Sequence, residues 1–263
     1  MRPIFTGIRI LLLSLITLSV SANSIDKGFE ALKMKDYFKA KTYFEKGRKK
    51  HPIAANFGLV KVFVEPKSPF YQLDSAYNCA IRAESGFLST KKDDRKNLPQ
   101  YGINTKSVSN LKLLVFERAF EEVTKAYSVE SCTDFLKRFP TATQKLQVIE
   151  LRSSIAFDNA KQENTYQAYQ VFAEQYPDAK ETKVALELFE ETRYRSLTDE
   201  GEIQSFVKFI NDHPSSTYRP NAEEKVFELS TADGKPTSYH SFITKYPNNG
   251  NVEKAWRDMY AIY

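Results

Sequence analysis

The second half of the chain repeats one hydrophobic pattern four times, and this pattern predicts paired helices. Each copy consists of a phenylalanine, three mixed residues, an aromatic or histidine residue and a proline. The phenylalanines are Phe135, Phe172, Phe209 and Phe242, and the prolines are Pro140, Pro177, Pro214 and Pro247. The prolines lie 37, 37 and 33 residues apart. A period of that length is typical of solenoids built from helical repeats.

Each copy belongs to a wider apolar stripe. Mostly aromatic side chains recur one, five and eight residues before each proline; those at eight are Cys132, Tyr169, Phe206 and Tyr239. A small or β-branched residue stands eight positions after it, at Val148, Ala185, Ala222 and Ala255. Steps of three and four residues place side chains on one helix face. We expect this face to contact the first helix of its own repeat and the first helix of the next.

The proline also predicts where the helices end and begin. A residue that precedes proline is disfavoured in helical conformation, so the second helix of each pair should end there. The residues that follow the prolines, Thr141, Asp178, Ser215 and Asn248, can cap a helix. In the third copy Pro220 fits only a first turn, so that helix should begin near Arg219 after a turn at residues 215–216.

These signals predict helix positions for the whole array. First helices are expected at about residues 107–126, 143–161, 180–197, 219–230 and 251–263. Second helices are expected at about residues 128–139, 165–176, 202–213 and 236–246.

The first half of the chain has looser helical patterning. A hairpin is predicted from a helix at about 25–34 and a second helix from Tyr37 to about Pro52, and a further pair at about 53–64 and 70–85. A polar stretch then breaks the pattern. The predicted organisation is a signal peptide at 1–22, N-terminal helix pairs at 23–88, a connector at 89–106 and a solenoid at 107–263.

Two sets of residues resemble tetratricopeptide repeats (TPRs). Gly28, Ala40, Phe44, Gly47 and Pro52 match the TPR pattern at its offsets. The Phe-x-x-x-Tyr-Pro phrase, with alanine eight residues after the proline, resembles the bacterial subtype found in periplasmic and outer-membrane-associated proteins. The resemblance covers about residues 130–263 well and 24–85 loosely. It implies an all-α solenoid of antiparallel helix pairs, that is, a TPR-like superhelix. It also implies that the protein is a scaffold that binds other proteins, and it implies no particular catalytic reaction.

The N-terminus carries the three parts of a secretory signal. Arg2 and Arg9 precede an apolar run at residues 10–20, and small residues lead up to Ala22. The sequence therefore predicts cleavage after Ala22 and export to the periplasm, the outer membrane or the cell surface; a retained N-terminal anchor is the alternative. No cysteine follows the run directly, so we expect no lipid anchor, and no integral membrane span after signal removal.

The amino-acid composition excludes some classes of protein and of binding partner. Charged residues make up 27% of the chain and the mean hydropathy is −0.49, which excludes a polytopic membrane protein. The 38 Lys and Arg residues exceed the 33 Asp and Glu residues by five, or by three without Arg2 and Arg9. So weak a balance gives no reason to expect nucleic acid. Export permits a disulfide, but sequence leaves open whether Cys79 and Cys132 pair or are two buried thiols.

The sequence contains few residues in arrangements typical of an active site. His51 and His213 stand directly before prolines and His240 is expected at the surface, so all three have structural interpretations. We find no glycine-rich phosphate loop, no Ser/His/Asp set and no Cys/His spacing suited to zinc. The sequence predicts a protein that is not an enzyme and has no cofactor or metal. The basic run at residues 46–51 either complements a helix dipole or contacts an acidic partner or anionic lipid.

The last helix presents a second candidate surface. Val252, Trp256, Met259, Tyr260 and Tyr263 form an apolar stripe at the end of the array. Either this helix caps the solenoid or its residues Trp256, Met259, Tyr260 and Tyr263 contact a partner, which could be another protein, a second copy or a further domain.

The function expected from sequence is a non-enzymatic protein–protein interaction scaffold exported to the bacterial cell envelope. Its partner would be another envelope or secreted protein, held on the concave surface of the first helices. Rival hypotheses are a glycan- or peptidoglycan-binding module, the helical-repeat part of a larger envelope assembly, and an enzyme on a helical scaffold. Exposed aromatic side chains in the groove would favour glycan binding, and a charged groove would count against it.

Overall fold

Every regular element of the protein is helical within residues 23–262, which are the residues that the computed structural model describes. The predicted signal peptide and Tyr263 lie outside this range. The α-helices are α1 (Ser24–Lys33), α2 (Tyr37–Gly47), α3 (Pro52–Phe63), α4 (Leu73–Ser89), α5 (Thr105–Ala126), α6 (Val129–Arg138), α7 (Lys145–Glu163), α8 (Tyr166–Gln175), α9 (Thr182–Leu197), α10 (Ile203–Asp212), α11 (Arg219–Ser230), α12 (Pro236–Lys245) and α13 (Val252–Tyr260). Consecutive helices pack as adjacent pairs, which confirms the predicted all-α helical-repeat solenoid.

Helix boundaries in the array follow the sequence closely. From residue 107 onward, each observed end lies within three residues of the predicted one. The first half departs more, because α2 ends at Gly47 and α4 continues to Ser89. Between α4 and α5 the chain forms two short 3-10 helices, Lys92–Arg95 and Pro99–Tyr101.

The chain forms two compact units. Unit 1 extends to Ala119, and unit 2 begins at Phe120, so the division falls within the span of α5.

The helix α3 is the centre of unit 1. Its residues from Ile53 to Val60 are all buried, as expected for a helix that is apolar on all sides. The Phe44 ring of α2 packs into space left by two glycines. A Cβ at Gly28 of α1 would lie 2.6 Å from that ring, and one at Gly58 of α3 would lie 2.3 Å from it. The small residues therefore allow three helices to meet around one aromatic side chain.

The predicted connector also packs into unit 1. The Tyr101 ring stacks on Phe29 of α1, with centroids 4.7 Å apart and planes 16° apart. Its hydroxyl donates a hydrogen bond to Asp26 Oδ1 at 2.5 Å. Asp26 Oδ2 accepts from the Asn23 N–H at 3.0 Å, closing a capping box at the start of α1. The polar stretch is thus attached to the first helix by specific contacts.

In unit 2 the repeated phrase ends each second helix in the same way. The phenylalanine is the seventh residue of α6, α8, α10 and α12. The residue before each proline ends its helix, with φ between −125° and −129° and ψ between 56° and 62°. Its N–H donates to the phenylalanine carbonyl at 2.8 or 2.9 Å. This confirms that the proline marks the end of the second helix.

The start of the next helix differs from the prediction. Thr141, Asp178, Ser215 and Asn248 are not the capping residues; the N-cap positions are Gln144, Glu181, Tyr218 and Asn251, none with a side-chain cap bond. Two successive turns follow each proline, closed by N–H···O bonds of 3.0 or 3.1 Å such as Ala142 to Phe139 and Lys145 to Ala142. Because these backbone turns occupy four residues, each first helix begins five residues after its proline. The arrangement predicted for the third copy alone applies to all four.

The repeated side chains form the core of unit 2. Phe135, Phe172 and Phe209 are 2% exposed and Phe242 is 1% exposed. The small residues Val148, Ala185, Ala222 and Ala255 are fully buried on the following helices. The Phe172 ring lies 5.2 Å from Phe157 of its own first helix and shares a cluster with Ala185 of the next. The stripe therefore contacts both neighbouring first helices, as predicted.

Candidate functional site

The predicted partner surface on α13 is divided between core and solvent. Ala255 and Met259 are buried, whereas Trp256 and Tyr260 are 38% and 68% exposed. The two exposed rings stack, with centroids 5.8 Å apart and planes 22° apart. One face of α13 thus packs on the array, and the adjacent face presents an aromatic pair to solvent.

The histidines and cysteines are dispersed. His51 and His240 are exposed, while the half-buried His213 ring lies 5.1 Å from Phe209. Cys79 and Cys132 are both buried with free thiols, and burial raises the pKa of each. Across residues 23–262 we find no group of three or more His, Cys, Asp or Glu side chains arranged to hold a metal ion. The same residues include no helix long and apolar enough to cross a membrane.

A cleft of about 630 Å³ lies in unit 1 between α2, α3 and α4. Leu59 and Phe63 of α3 form apolar parts of its lining. The lining from α2 and its C-cap is Lys41, Glu45 and Arg48; that from the loop before α4 is Pro69, Phe70, Tyr71 and Gln72; and that from α4 is Ser75, Asn78, Cys79 and Arg82. We call this the α2–α4 cleft.

Helix periodicity explains why these side chains converge. On α2 the cleft residues are spaced by four and three positions, and each follows directly after a residue of the buried stripe that includes Phe44. On α4 the spacing from Ser75 through Asn78 to Arg82 is three and four. Side chains at such spacing share a helix face. Two polar faces therefore line the cleft from α2 and α4.

Arg48 is fixed in the cleft by a neutral partner. Its Nε and Nη2 donate to Asn56 Oδ1 at 3.2 and 2.9 Å. Asn56 is only 3% exposed, and its own Nδ2 donates to the Pro52 carbonyl at 2.7 Å. Nη2 also lies 3.5 Å from Cys79 Sγ. A buried amide, held by the backbone, thus orients the guanidinium without neutralising its charge.

The cleft has an excess of positive charge. Glu45, its one acidic lining residue, pairs with Lys41 at 2.7 Å. Burial raises the pKa of the Cys79 thiol, and the charges of Arg48 and Arg82 oppose that rise. Both arginines line the cleft together with Cys79. Within the part of the chain that the structure describes, exposed Arg82 makes no hydrogen bond or ion pair.

One end of the cleft is aromatic. Lys41 Nζ lies 5.2 Å from the centroid of the Phe70 ring. Phe38 packs edge-on against Phe70, with centroids 4.8 Å apart and planes 73° apart. Phe38 is itself 64% exposed, so apolar surface continues outward from the cleft.

Only part of this site is predictable from the sequence. Arg48 belongs to the basic run at residues 46–51, for which contact with an acidic partner was one interpretation. The charged stripe beside the buried face of α2 was a usable signal. No sequence signal identifies Arg82 or the loop before α4 as part of the site, because their positions depend on how α4 packs across α3.

Comparison with protein-family models, with curated proteins and with solved structures returned no match for the chain. The repeat pattern and the geometry of the exposed surfaces are therefore the features that bear on function.

Proposed function

We propose that this protein is a non-enzymatic scaffold of the TPR type that is exported to the bacterial cell envelope and binds another envelope or secreted protein. The TPR-like spacing of the repeats and the signal-like N-terminal sequence support this proposal. The repeated residues are occupied in buried contacts between helices. Partner binding is thus assigned to surfaces on which the repeats differ.

The α2–α4 cleft is the observation that carries the proposal. At about 630 Å³ it falls in the size range of ligand-binding pockets. It combines an apolar part from α3, a fixed guanidinium and an aromatic end, and such mixed surfaces are typical of protein interfaces. Arginine and aromatic residues are also the side chains that most often contribute strongly to binding.

Glycan binding is the second candidate. The exposed pair of Trp256 and Tyr260 favours it, because flat aromatic rings stack on sugar rings. The charged residues of the α2–α4 cleft count against a neutral glycan at that position. A glycan site, if present, would therefore be sought on α13.

Affinity capture tests the scaffold proposal. The chain from Asn23 to Tyr263 would be immobilised, exposed to envelope extract and compared with resin that carries an unrelated helical protein. We expect a specific protein that, once purified, binds the chain saturably in solution. The protein isolated from the envelope fraction should begin at Asn23 on N-terminal sequencing. Absence of any saturable protein partner would refute the scaffold function, and an intact N-terminus would refute cleavage.

A further inference from the structure

The two guanidiniums of the α2–α4 cleft have donor groups that the protein does not use. A guanidinium carries five N–H donors. Arg48 directs three of them to Asn56 and Cys79, which leaves the two on Nη1. All five donors of Arg82 lack a partner within residues 23–262, and the side chain is exposed. Both residues line the same cleft.

A carboxylate complements this arrangement. An ionised carboxyl group only accepts hydrogen bonds, and it forms paired bonds with the planar fork of arginine. Arg48 is already oriented by buried Asn56, so binding would cost less side-chain entropy than it would with a mobile arginine. The pair of Lys41 and Glu45 is neutral overall and leaves the positive charge of the arginines in excess.

We propose that the α2–α4 cleft binds a carboxylate side chain of an acidic polypeptide segment, with Arg48 and Arg82 as its ligands. This inference rests on the proposed scaffold function and specifies the chemistry of its partner. Gln72 and Asn78 also line the cleft, and their amide groups can pair with the backbone of an extended peptide.

A peptide fits the cleft better than a sugar does. Lys41 and Phe38 already contact the Phe70 ring, which leaves less of that ring to stack on a pyranose. Sugar recognition by stacking needs an open aromatic face, whereas carboxylate recognition needs the arginine forks that the cleft provides.

The test uses the chain from Asn23 to Tyr263 and two labelled peptides, oligoglutamate and oligoglutamine, in a fluorescence anisotropy titration. We expect oligoglutamate to bind and oligoglutamine not to bind. Binding should weaken as salt rises from low concentration to about 0.15 M, because exposed charges are screened. Arg82→Gln should weaken it about tenfold or more, the loss expected for a hydrogen bond to a charged group.

Lys49→Gln is the matched control. Lys49 is exposed, belongs to the same basic run and does not line the cleft. The Lys49→Gln substitution removes one positive charge, as Arg82→Gln does, but outside the cleft. The affinity for oligoglutamate should therefore change by less than about twofold. Arg48→Lys keeps the charge but removes the fork, and it should weaken binding while circular dichroism stays unchanged.

Failure of oligoglutamate to bind would overturn the inference, and so would three further results. Equal losses in Arg82→Gln and Lys49→Gln would mean that only net charge attracts the peptide. Tighter binding of polygalacturonate than of oligoglutamate, also lost in Arg82→Gln, would assign the cleft to an anionic glycan. If a captured protein binds the Arg82→Gln chain with unchanged affinity, the cleft is not its binding site, but the scaffold function stands. If oligoglutamate binds and Arg82→Gln weakens that binding, but no protein is captured, the result would support carboxylate binding in the cleft and refute the scaffold function.

Discussion

At the scale of single residues, unit 1 depends on the absence of side chains at two positions. Gly28 and Gly58 leave the space that the fully buried Phe44 ring occupies. Phe44 also packs edge-on against Phe29, with centroids 4.9 Å apart. Protein interiors are close-packed, so an added methyl group at such a contact must displace its neighbours.

We expect Gly58→Ala to destabilise the protein by about 1–3 kcal/mol, because its Cβ would lie 2.3 Å from the Phe44 ring. Gly86→Ala is the matched control in α4, where the nearest atom, Cγ1 of Ile53, lies 3.1 Å away. There the helix preference for alanine should offset the tight contact. Urea unfolding measures both variants. Adding Phe44→Leu to Gly58→Ala should recover part of the loss; strict additivity would contradict this packing account.

Tyr101 provides a residue-scale prediction about pH. Burial, and secondarily its hydrogen bond to Asp26, raises the pKa of the Tyr101 phenol above its usual value of 10.0. A folded pKa above the unfolded one means that the stabilisation is complete below about pH 10 and is lost as pH rises through the folded pKa.

Tyr101→Phe should therefore lower the free energy of unfolding at neutral pH by about 1 kcal/mol, since it removes one hydrogen bond. The difference from the unsubstituted protein should shrink at strongly alkaline pH. Tyr260→Phe is the control, because Tyr260 is 68% exposed. Chemical unfolding at a series of pH values measures both. A Tyr101→Phe difference that stayed constant through the alkaline range would contradict the proposed role of the phenol.

At the scale of elements, the sequence predicted where the second helices end but not which residues precede the first helices that follow. Proline acts locally, on the residue before it, so Phe139 and its equivalents could be identified as helix ends from sequence alone. The starts depend on two backbone turns whose hydrogen bonds need no particular side chain. Thr141 is a good capping type, yet the chain completes both turns and begins α7 at Lys145. Side-chain preference was outweighed there by backbone geometry.

The α2–α4 cleft shows the same limit for sites. The stripe of Lys41, Glu45 and Arg48 could be read from the period of α2. The contribution of Arg82 requires that α2 and α4 both pack against α3, a contact between elements that no local pattern encodes. The proposed ligand chemistry depends on that contact, because one arginine alone would be an ordinary surface cation.

At the scale of the whole molecule, unit 2 is stabilised through a series of local cores. Phe157, Tyr169, Phe172 and Ala185 belong to one cluster. A separate cluster further along the chain contains Phe206, Phe209, Ala222, Val226, Phe227, Phe242 and Ala255. Repeat arrays of this kind behave approximately as a sum of nearest-neighbour contacts. Damage at one junction should therefore affect its neighbours more than distant helices.

Phe209→Ala tests this view, because Phe209 is 2% exposed and its ring lies 5.2 Å from Tyr194 of the preceding helix. The lost aromatic packing should cost about 3–5 kcal/mol. Hydrogen exchange should accelerate in α9, α10 and α11, while the amides of α6 and α7 keep their protection. Lys208→Ala, an exposed change in the same helix, should leave exchange unchanged. Equal acceleration from α6 to α13 would instead show that unit 2 unfolds as one cooperative body, and the nearest-neighbour description would be wrong.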